Sequence, residues 1–297
     1  MSTSISRRSA WLLIGLLIFI WGGNWPAMKI GLSHVPPLTF ASLRLLTSAM
    51  TMLVLAFFMR DLGWPQRRDW PFLLAAGGLQ MGVYIAMLTY GIQYVPAGRA
   101  SILAYTMPVW VVPGAIILLG ERLNRWNAMG FLLGIGGLMV LFNPTAFDWS
   151  DGDVLLGNGL IVGGAAISGL VMLYIRGRQW VASPLALAPW QFILASLFLV
   201  PLALFAEPNT EIQWTPQLLM SLTYSGPLAT AMGMLIFVAI SRALPAITAS
   251  MGLLGVPVVG LLLSSWILGE SLTLANITGL TLIVTSVAAV SWGGRRN

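Results

Sequence analysis

The chain has 297 residues, of which 58% are hydrophobic and only 8% are charged, and its mean hydropathy is +0.86. Because a soluble domain carries roughly 25% charged residues, this composition excludes a water-soluble globular protein and indicates several membrane spans. Cysteine is absent from the sequence, which excludes disulfides, thiolate nucleophiles and cysteine metal ligands.

Ten hydrophobic segments of about 20 residues each are long enough to cross about 30 Å of bilayer hydrocarbon as helices. A helix satisfies its backbone hydrogen bonds within one segment, whereas the strands of a membrane barrel are shorter and alternate in polarity. The sequence therefore predicts an all-α membrane protein with ten transmembrane helices, at residues 10–31, 38–59, 71–93, 99–119, 127–145, 154–175, 185–205, 217–240, 246–268 and 274–292.

The positions of the 15 basic residues predict the orientation of the spans. With the N-terminus in the cytoplasm, 12 of them fall in inner loops and tails, Lys29 and Arg99 fall outside, and Arg44 lies within a span. Basic residues accumulate on the cytoplasmic side of membrane proteins, so both termini are predicted to be cytoplasmic. The formal net charge of +6 is then a signal of topology in the lipid bilayer, and nucleic acid is not an expected partner.

Residues 96–137 recur in degenerate form as residues 245–279, without a gap. The identities at an offset of 149 include the pairs Pro96 and Pro245, Ser101 and Ser250, Pro108 and Pro257, and Glu121 and Glu270. Because the chain has only nine acidic residues in all, the recurrence of a glutamate together with two prolines at one offset indicates a duplication. We predict two five-helix domains, at residues 1–147 and 148–297.

An odd number of spans in each repeat means that the second repeat enters the membrane from the opposite side. The predicted fold is therefore two inverted five-helix repeats, related by a pseudo-twofold axis in the membrane plane. Such repeats can form outward-open and inward-open states by exchanging their conformations, which is how many secondary transporters work.

Three features together resemble the drug/metabolite transporter superfamily. They are the WGGNWPAMK sequence of the first span, Arg44 in the second, and the paired Pro, Gly-Glu and Gly units at residues 108–130 and 257–279. Over its whole length the chain resembles the ten-helix EamA-type exporters, which include exporters of amino acids and aromatic amino acids. The resemblance implies a cavity at the repeat interface, lined mainly by spans 1, 3, 4, 6, 8 and 9, and export across a bacterial inner membrane.

Two tyrosines are the leading candidates for the wall of a substrate cavity. Tyr84 lies one turn after Gln80 in the third span, and Tyr105 lies one turn after Ser101 in the fourth, so Gln80 and Ser101 are predicted to contact the substrate as well. A buried tyrosine combines an apolar ring with one hydroxyl, which suits an amphipathic small molecule. The alternative is that these side chains only pack against a neighbouring helix.

Other polar residues within spans are weaker candidates for substrate contact, since such groups also bond adjacent helices. These are Asn24, Ser168, Tyr224 and Ser250. An unpaired charge at the position of Arg44 is costly, so it requires water, helix-end carbonyls or an anion such as a substrate carboxylate. Pro108 and Pro257 interrupt the helical hydrogen bonds and are candidate bending points, or alternatively fixed kinks.

No Asp or Glu falls in the middle of a predicted span, and the single histidine, His34, lies in the first outer loop. Proton-coupled transporters usually place such a group at membrane depth, so we expect facilitated diffusion or exchange. The loop with Asp148, Asp151 and Asp153 lacks the downstream glutamate of a calcium-binding loop. We therefore expect neither a metal nor a cofactor.

These features favour an exporter of small metabolites, foremost amino acids and among them aromatic ones, that works by alternating access. A broad drug efflux carrier is the second interpretation within transport. A membrane enzyme or a lipid-handling protein is the alternative from another class, although no hydrolase motif is present. The pair Gly130 and Gly134 predicts close helix packing, either within the chain or in a dimer, so the oligomeric state is left open.

Overall fold

The computed structural model describes residues 6–142, 150–177, 183–269 and 272–296, and all regular elements within them are helical. The helices are α1 (Arg7–Leu32), α2 (Pro37–Phe58), α3 (Trp70–Gly91), α4 (Ala97–Leu119), α5 (Arg125–Phe142), α6 (Gly152–Arg176), α7 (Pro184–Ala206), α8 (Pro216–Ala243), α9 (Ala246–Leu268) and α10 (Leu274–Arg296).

Eight of these helices, α1 to α4 and α6 to α9, are long and apolar enough to span a membrane. Helix α10 contains a shorter apolar stretch, Leu274–Val290, and α5 has 18 residues. The predicted all-α membrane fold is confirmed, whereas the full count of ten membrane crossings stays a prediction.

The contacts between helices are symmetric with respect to the two repeats, in which α1 to α5 correspond to α6 to α10. Helix α2 packs against α7, α4 against α9, and α5 against α10, so each of these pairs joins equivalent helices of the two repeats. The contact of α1 with α9 has its counterpart in that of α6 with α4, and the contact of α2 with α8 has its counterpart in that of α7 with α3. A pseudo-twofold relation between the repeats requires this symmetry.

The glycines of the two Gly-Glu units end equivalent helices. Gly120 follows α4 and Gly269 follows α9, with φ angles of 63° and 71°. A residue with a Cβ rarely adopts this left-handed conformation, whereas glycine does so at little cost. The repeated glycine is therefore explained by helix termination.

Carboxylates at helix ends connect the two repeats. The Glu207 carboxylate, after α7, accepts the backbone N–H groups of Leu38 and Thr39 at the start of α2, at 3.0 and 2.8 Å. In the equivalent arrangement, the Asp61 carboxylate, after α2, accepts the hydroxyl of Ser183, the residue that caps α7. Negative charge is favoured at a helix start because the helix dipole is positive there.

The face of α5 that carries Gly130 and Gly134 packs against other helices of the same chain. The Ser286 hydroxyl of α10 donates to the carbonyl of Gly130 at 2.6 Å. A Cβ added at Gly134 would lie 2.7 Å from Leu254 Cδ1 of α9. Of the two alternatives for this face, the structure shows packing between helices of one chain.

Helices α4 and α9 are interrupted at equivalent places. Helix α4 consists of Ala97–Ala104 and Met107–Leu119, and α9 consists of Ala246–Gly252 and Gly255–Leu268. Pro108 and Pro257 lie in the first turn of the second half, where a missing backbone N–H is tolerated. That these breaks bend during transport stays a prediction.

Helices α3 and α8 each contain a stretch with π-helical backbone, at Leu73–Val83 and Tyr224–Met232. Hydrogen bonds in such a stretch join residues five positions apart, and π-helical turns are frequent at functional sites. Both stretches carry residues that border the cavity described next.

Candidate functional site

A cavity with a volume of about 80 Å³ lies between α1, α2, α3, α4, α6 and α8. Since one water molecule needs about 10–15 Å³ on this measure, the cavity has room for several. Both repeats contribute to its wall. The described wall includes α2, through Arg44, and no residue of α9, so it differs in these two helices from the set that the family resemblance implied.

Six of the eleven predicted site residues line this cavity. They are Asn24 on α1, Arg44 on α2, Gln80 and Tyr84 on α3, Tyr105 on α4 and Ser168 on α6. The fold therefore brings together polar groups from five helices that are far apart in the sequence. Their contact with a substrate stays a prediction.

Arg44 places a buried positive charge at the cavity. Its side chain is only 6% exposed, its Nε donates to Thr230 Oγ1, and its Nη1 lies 3.3 Å from the Met28 sulfur. The Thr230 hydroxyl in turn donates to the Ser225 carbonyl, five residues earlier in the π-helical stretch, at 2.6 Å. No carboxylate pairs with Arg44 among the residues that the structure describes. The guanidinium is thus oriented by a hydroxyl and keeps its charge available to an anion.

Two amide groups supply hydrogen-bond acceptors to the same cavity. Asn24 Nδ2 donates to the Met28 sulfur at 3.1 Å, and Gln80 Nε2 donates to Ser168 Oγ at 2.9 Å. The other ends of these amides, Asn24 Oδ1 and Gln80 Oε1, are buried and have no hydrogen-bond partner within the described part of the chain. Because buried acceptors are normally partnered, these oxygens are suited to a donor that enters the cavity.

Aromatic rings form much of the remaining wall. The Trp21 ring lies against Phe237 with 5.6 Å between the centroids, and Trp21 Nε1 donates to the Ala229 carbonyl at 2.8 Å. Tyr84 and Tyr105 line the cavity from the first repeat. A wall of this kind accepts an apolar or aromatic group and leaves few sites for additional charge.

The other predicted residues lie away from the described cavity wall. Ser101 and Ser250 are fully buried, and each hydroxyl donates to the carbonyl three residues earlier in its own helix, at 2.6 and 3.0 Å. Tyr224 Oη donates to the Ile20 carbonyl of α1 at 3.0 Å. Pro108 and Pro257 lie at the interruptions of α4 and α9.

The acidic residues that the structure describes lie in loops or at helix ends. Asp151 caps α6 by accepting the backbone N–H of Asp153 at 2.9 Å. Asp148, which belongs to the same acidic loop, and Glu270, the repeat counterpart of Glu121, lie outside the described residues.

Sequence reasoning did not predict the other eleven residues of the wall, among them Trp21, Trp25 and Thr230, which carry polar groups, and the aromatic Phe237. Trp21 lies three residues before Asn24 and four before Trp25, and these spacings place the Trp21 side chain beside each of the other two on the helix. That signal was present in the sequence. The position of Thr230 gave no such signal, because the π-helical stretch changes which side chains of α8 face the cavity.

A bundle of membrane helices built from two repeats, with a polar and aromatic cavity between them, is the architecture of a secondary transporter. The model of the EamA-like transporter family matches this chain twice, at residues 8–143 and at residues 155–292. The chain therefore belongs to the EamA-like transporter family.

Two curated relatives match over nearly their full length. The uncharacterized transporter YoaV of Bacillus subtilis (strain 168) is 28% identical over 279 residues, which cover 93% of this chain and 95% of YoaV. A "Probable amino-acid metabolite efflux pump" of Salmonella typhimurium (strain LT2) is 29% identical over 312 residues, which cover 98% of this chain and 97% of the pump. These names indicate a transporter rather than an enzyme.

A solved protein structure superposes with a TM-score of 0.77 and covers 98% of this chain and 99% of its own. The two sequences are 20% identical, so this likeness establishes the fold alone.

Proposed function

We propose that the protein exports amino acids, including aromatic ones, by alternating access around the cavity. The observation that carries this proposal is that one cavity combines the Arg44 guanidinium with the unpartnered amide oxygens of Asn24 and Gln80. An amino acid carries a carboxylate, which matches a guanidinium, and an ammonium group, which matches carbonyl acceptors. Binding such a zwitterion satisfies both kinds of buried group at once.

The spacing of these groups suits a small molecule. Asn24 Nδ2 and Arg44 Nη1 both contact the sulfur of Met28, at 3.1 and 3.3 Å. They are therefore no more than 6.4 Å apart, the sum of the two contact distances. The Asn24 amide, which also carries the unpartnered Oδ1, is therefore close enough to the guanidinium for one compact zwitterion to contact both groups.

The rings around these polar groups support an aromatic or large apolar side chain as the third recognised feature. Trp21, Trp25 and Phe237 face the cavity together with Tyr84 and Tyr105. Contacts between aromatic rings contribute about 0.5–1.5 kcal/mol beyond the burial of area. The name of the Salmonella relative supports the same substrate class.

We further infer uniport or exchange without a carboxylate proton relay inside the membrane. The carboxylates of Asp61, Glu121 and Glu207 accept hydrogen bonds from groups at helix starts. These contacts give the three carboxylates structural roles at helix starts, and the described wall of the cavity contains no Asp or Glu.

Transport into proteoliposomes of a panel of radiolabelled amino acids, with and without a pH gradient, tests both statements. We expect saturable movement of a subset of the panel, independent of the pH gradient and weakened in Tyr105→Ala and Arg44→Gln. Arg122→Gln, which removes an exposed arginine after α4, is the matched control and should transport normally. Movement of no amino acid would contradict the proposed substrate class. Loss of transport when only the pH gradient is collapsed would contradict uniport or exchange without a proton relay.

A further inference from the structure

A second cavity opens on the outer face of the bundle, between α3, α6 and α7. It has a volume of about 690 Å³ and an almost entirely apolar wall, in which Tyr174 provides the one hydroxyl of the described side chains. Leu74, Leu79, Leu170 and Phe198 line it and are 47–58% exposed. An exposed apolar surface on a membrane-spanning helix faces lipid, so this groove is open to the bilayer and separate from the transport cavity.

The length of the groove matches one leaflet of a bilayer. Its wall on α3 extends from Pro71 to Val83, which is at most about 18 Å along a helix that rises about 1.5 Å per residue. One leaflet contributes half of about 30 Å of hydrocarbon. The groove begins at the end of α3 that is predicted to be cytoplasmic, so it lies in the inner leaflet on that topology.

Gly78 keeps the groove open. A Cβ added at Gly78 would meet no atom within 4 Å, although it lies in the wall. A Cβ at the preceding residue, Gly77, would lie 2.9 Å from Gln191 Cα of α7. Two adjacent glycines thus have different roles, since Gly77 permits close helix packing and Gly78 leaves space beside it.

Positive charge lies shortly before the start of the groove in the sequence. Arg67 and Arg68 precede Pro71 by four and three residues, are exposed, and form no ion pair within the described part of the chain. The two carboxylates of this segment are directed to other groups, since Asp61 accepts the Ser183 hydroxyl and Asp69 accepts the backbone N–H of Gln66 at 3.0 Å.

We propose that this groove binds an acyl chain of an anionic phospholipid, whose phosphate contacts Arg67 and Arg68. The apolar wall matches the chain, its length matches the depth of a leaflet, and the arginines match the headgroup. Arginine near a membrane surface attracts anionic lipid and donates to phosphate oxygens. This site is independent of which solute the transport cavity binds.

Native mass spectrometry of the full-length protein in detergent, with phosphatidylglycerol or with phosphatidylcholine of the same acyl chains, tests the proposal. We expect one phosphatidylglycerol to be retained in preference to phosphatidylcholine. Replacing both arginines, as Arg67→Gln with Arg68→Gln, should remove this preference, by about fivefold for each arginine. Gly78→Leu should reduce the retention of both lipids, because its Cβ meets no protein atom within 4 Å and its side chain adds volume to the wall of the groove.

Gly159→Leu is the matched control, because Gly159 of α6 is exposed and a Cβ there also meets no atom within 4 Å. It should retain phosphatidylglycerol like the wild type. Unchanged retention in Gly78→Leu, or an unchanged lipid preference in the double arginine variant, would overturn the proposal. Displacement of the lipid by glycerol phosphate, which has the headgroup charge and no acyl chain, would also overturn it in favour of a site for free anions.

Discussion

The carboxylate of Glu121 accepts the backbone N–H of Ala246 at 2.8 Å and thereby joins the end of α4 to the start of α9. Its second oxygen accepts the N–H of Ile247 at 3.1 Å. Arg176 of α6 lies 3.9 Å from the same carboxylate and donates to the Arg242 carbonyl at 3.1 Å. The glutamate of the first Gly-Glu unit therefore fastens three helices at one end of the bundle.

Glu121→Ala should lower the stability of the protein. The variant leaves two N–H groups at the start of α9 without their charged acceptor, at a cost of about 1–3 kcal/mol. The thermal unfolding midpoint of the detergent-purified protein measures the change. Glu211→Ala, at an exposed loop position, is the control, and an equal shift in both variants would contradict this role for Glu121.

Gly77→Ala should lower the stability of the protein, whereas Gly78→Ala should not. A Cβ at Gly77 would lie 2.9 Å from the Cα and the carbonyl oxygen of Gln191, so α3 and α7 must separate, at a cost of about 1–3 kcal/mol. Alanine at Gly78 meets open space, and its higher helix propensity should leave stability unchanged or raised by up to about 1 kcal/mol. The same unfolding measurement compares them, and a stable Gly77→Ala protein would show that this packing is looser than described.

Thr230→Val should weaken amino-acid transport by misplacing the Arg44 guanidinium. The loss of a hydrogen bond to a charged group costs about 1.5–3 kcal/mol, so we expect KM to rise by about tenfold or more. Thr223→Val is the control on the same helix, because the exposed Thr223 hydroxyl bonds only its own helix, at the Leu219 carbonyl. Equal kinetics of the two variants would argue against orientation of Arg44 by Thr230.

Tyr224→Phe separates the two roles left open for this residue. If its hydroxyl serves only the Ile20 carbonyl, the variant loses about 1 kcal/mol of stability and keeps its KM. Tyr84→Phe, at a residue that lines the cavity, should instead change KM. A raised KM in Tyr224→Phe at unchanged stability would place Tyr224 at the substrate.

Hydropathy, the distribution of charge and the internal repeat predict the helical membrane bundle well, because each of them is a property of segments many residues long. Membrane length fixes the helices, and the recurrence of Gly-Glu marks ends at which glycine adopts a positive φ. The cavity depends on the direction of single side chains, which segment averages do not contain. Arg44 stood out because a charge within a span is rare.

Serines illustrate the limit of the repeat signal. Ser101 and Ser250 align perfectly between the repeats, yet each hydroxyl donates to a carbonyl of its own helix. A serine can always satisfy itself in this way, so its presence in a span says little about a ligand. Thr230 was missed for the opposite reason, since its direction follows from a π-helical stretch that spacing of 3.6 residues does not predict.

The contacts that Asp61 and Glu207 make across the repeats leave each half of the chain incomplete alone. Helices α2 and α7 both begin at a group that contacts a carboxylate of the other half. A five-helix unit on its own would lack the carboxylate that contacts the start of its second helix. It would need a second copy beside it, in the opposite orientation, to supply that carboxylate. The folded chain is in this sense built like an antiparallel dimer whose two halves are joined covalently.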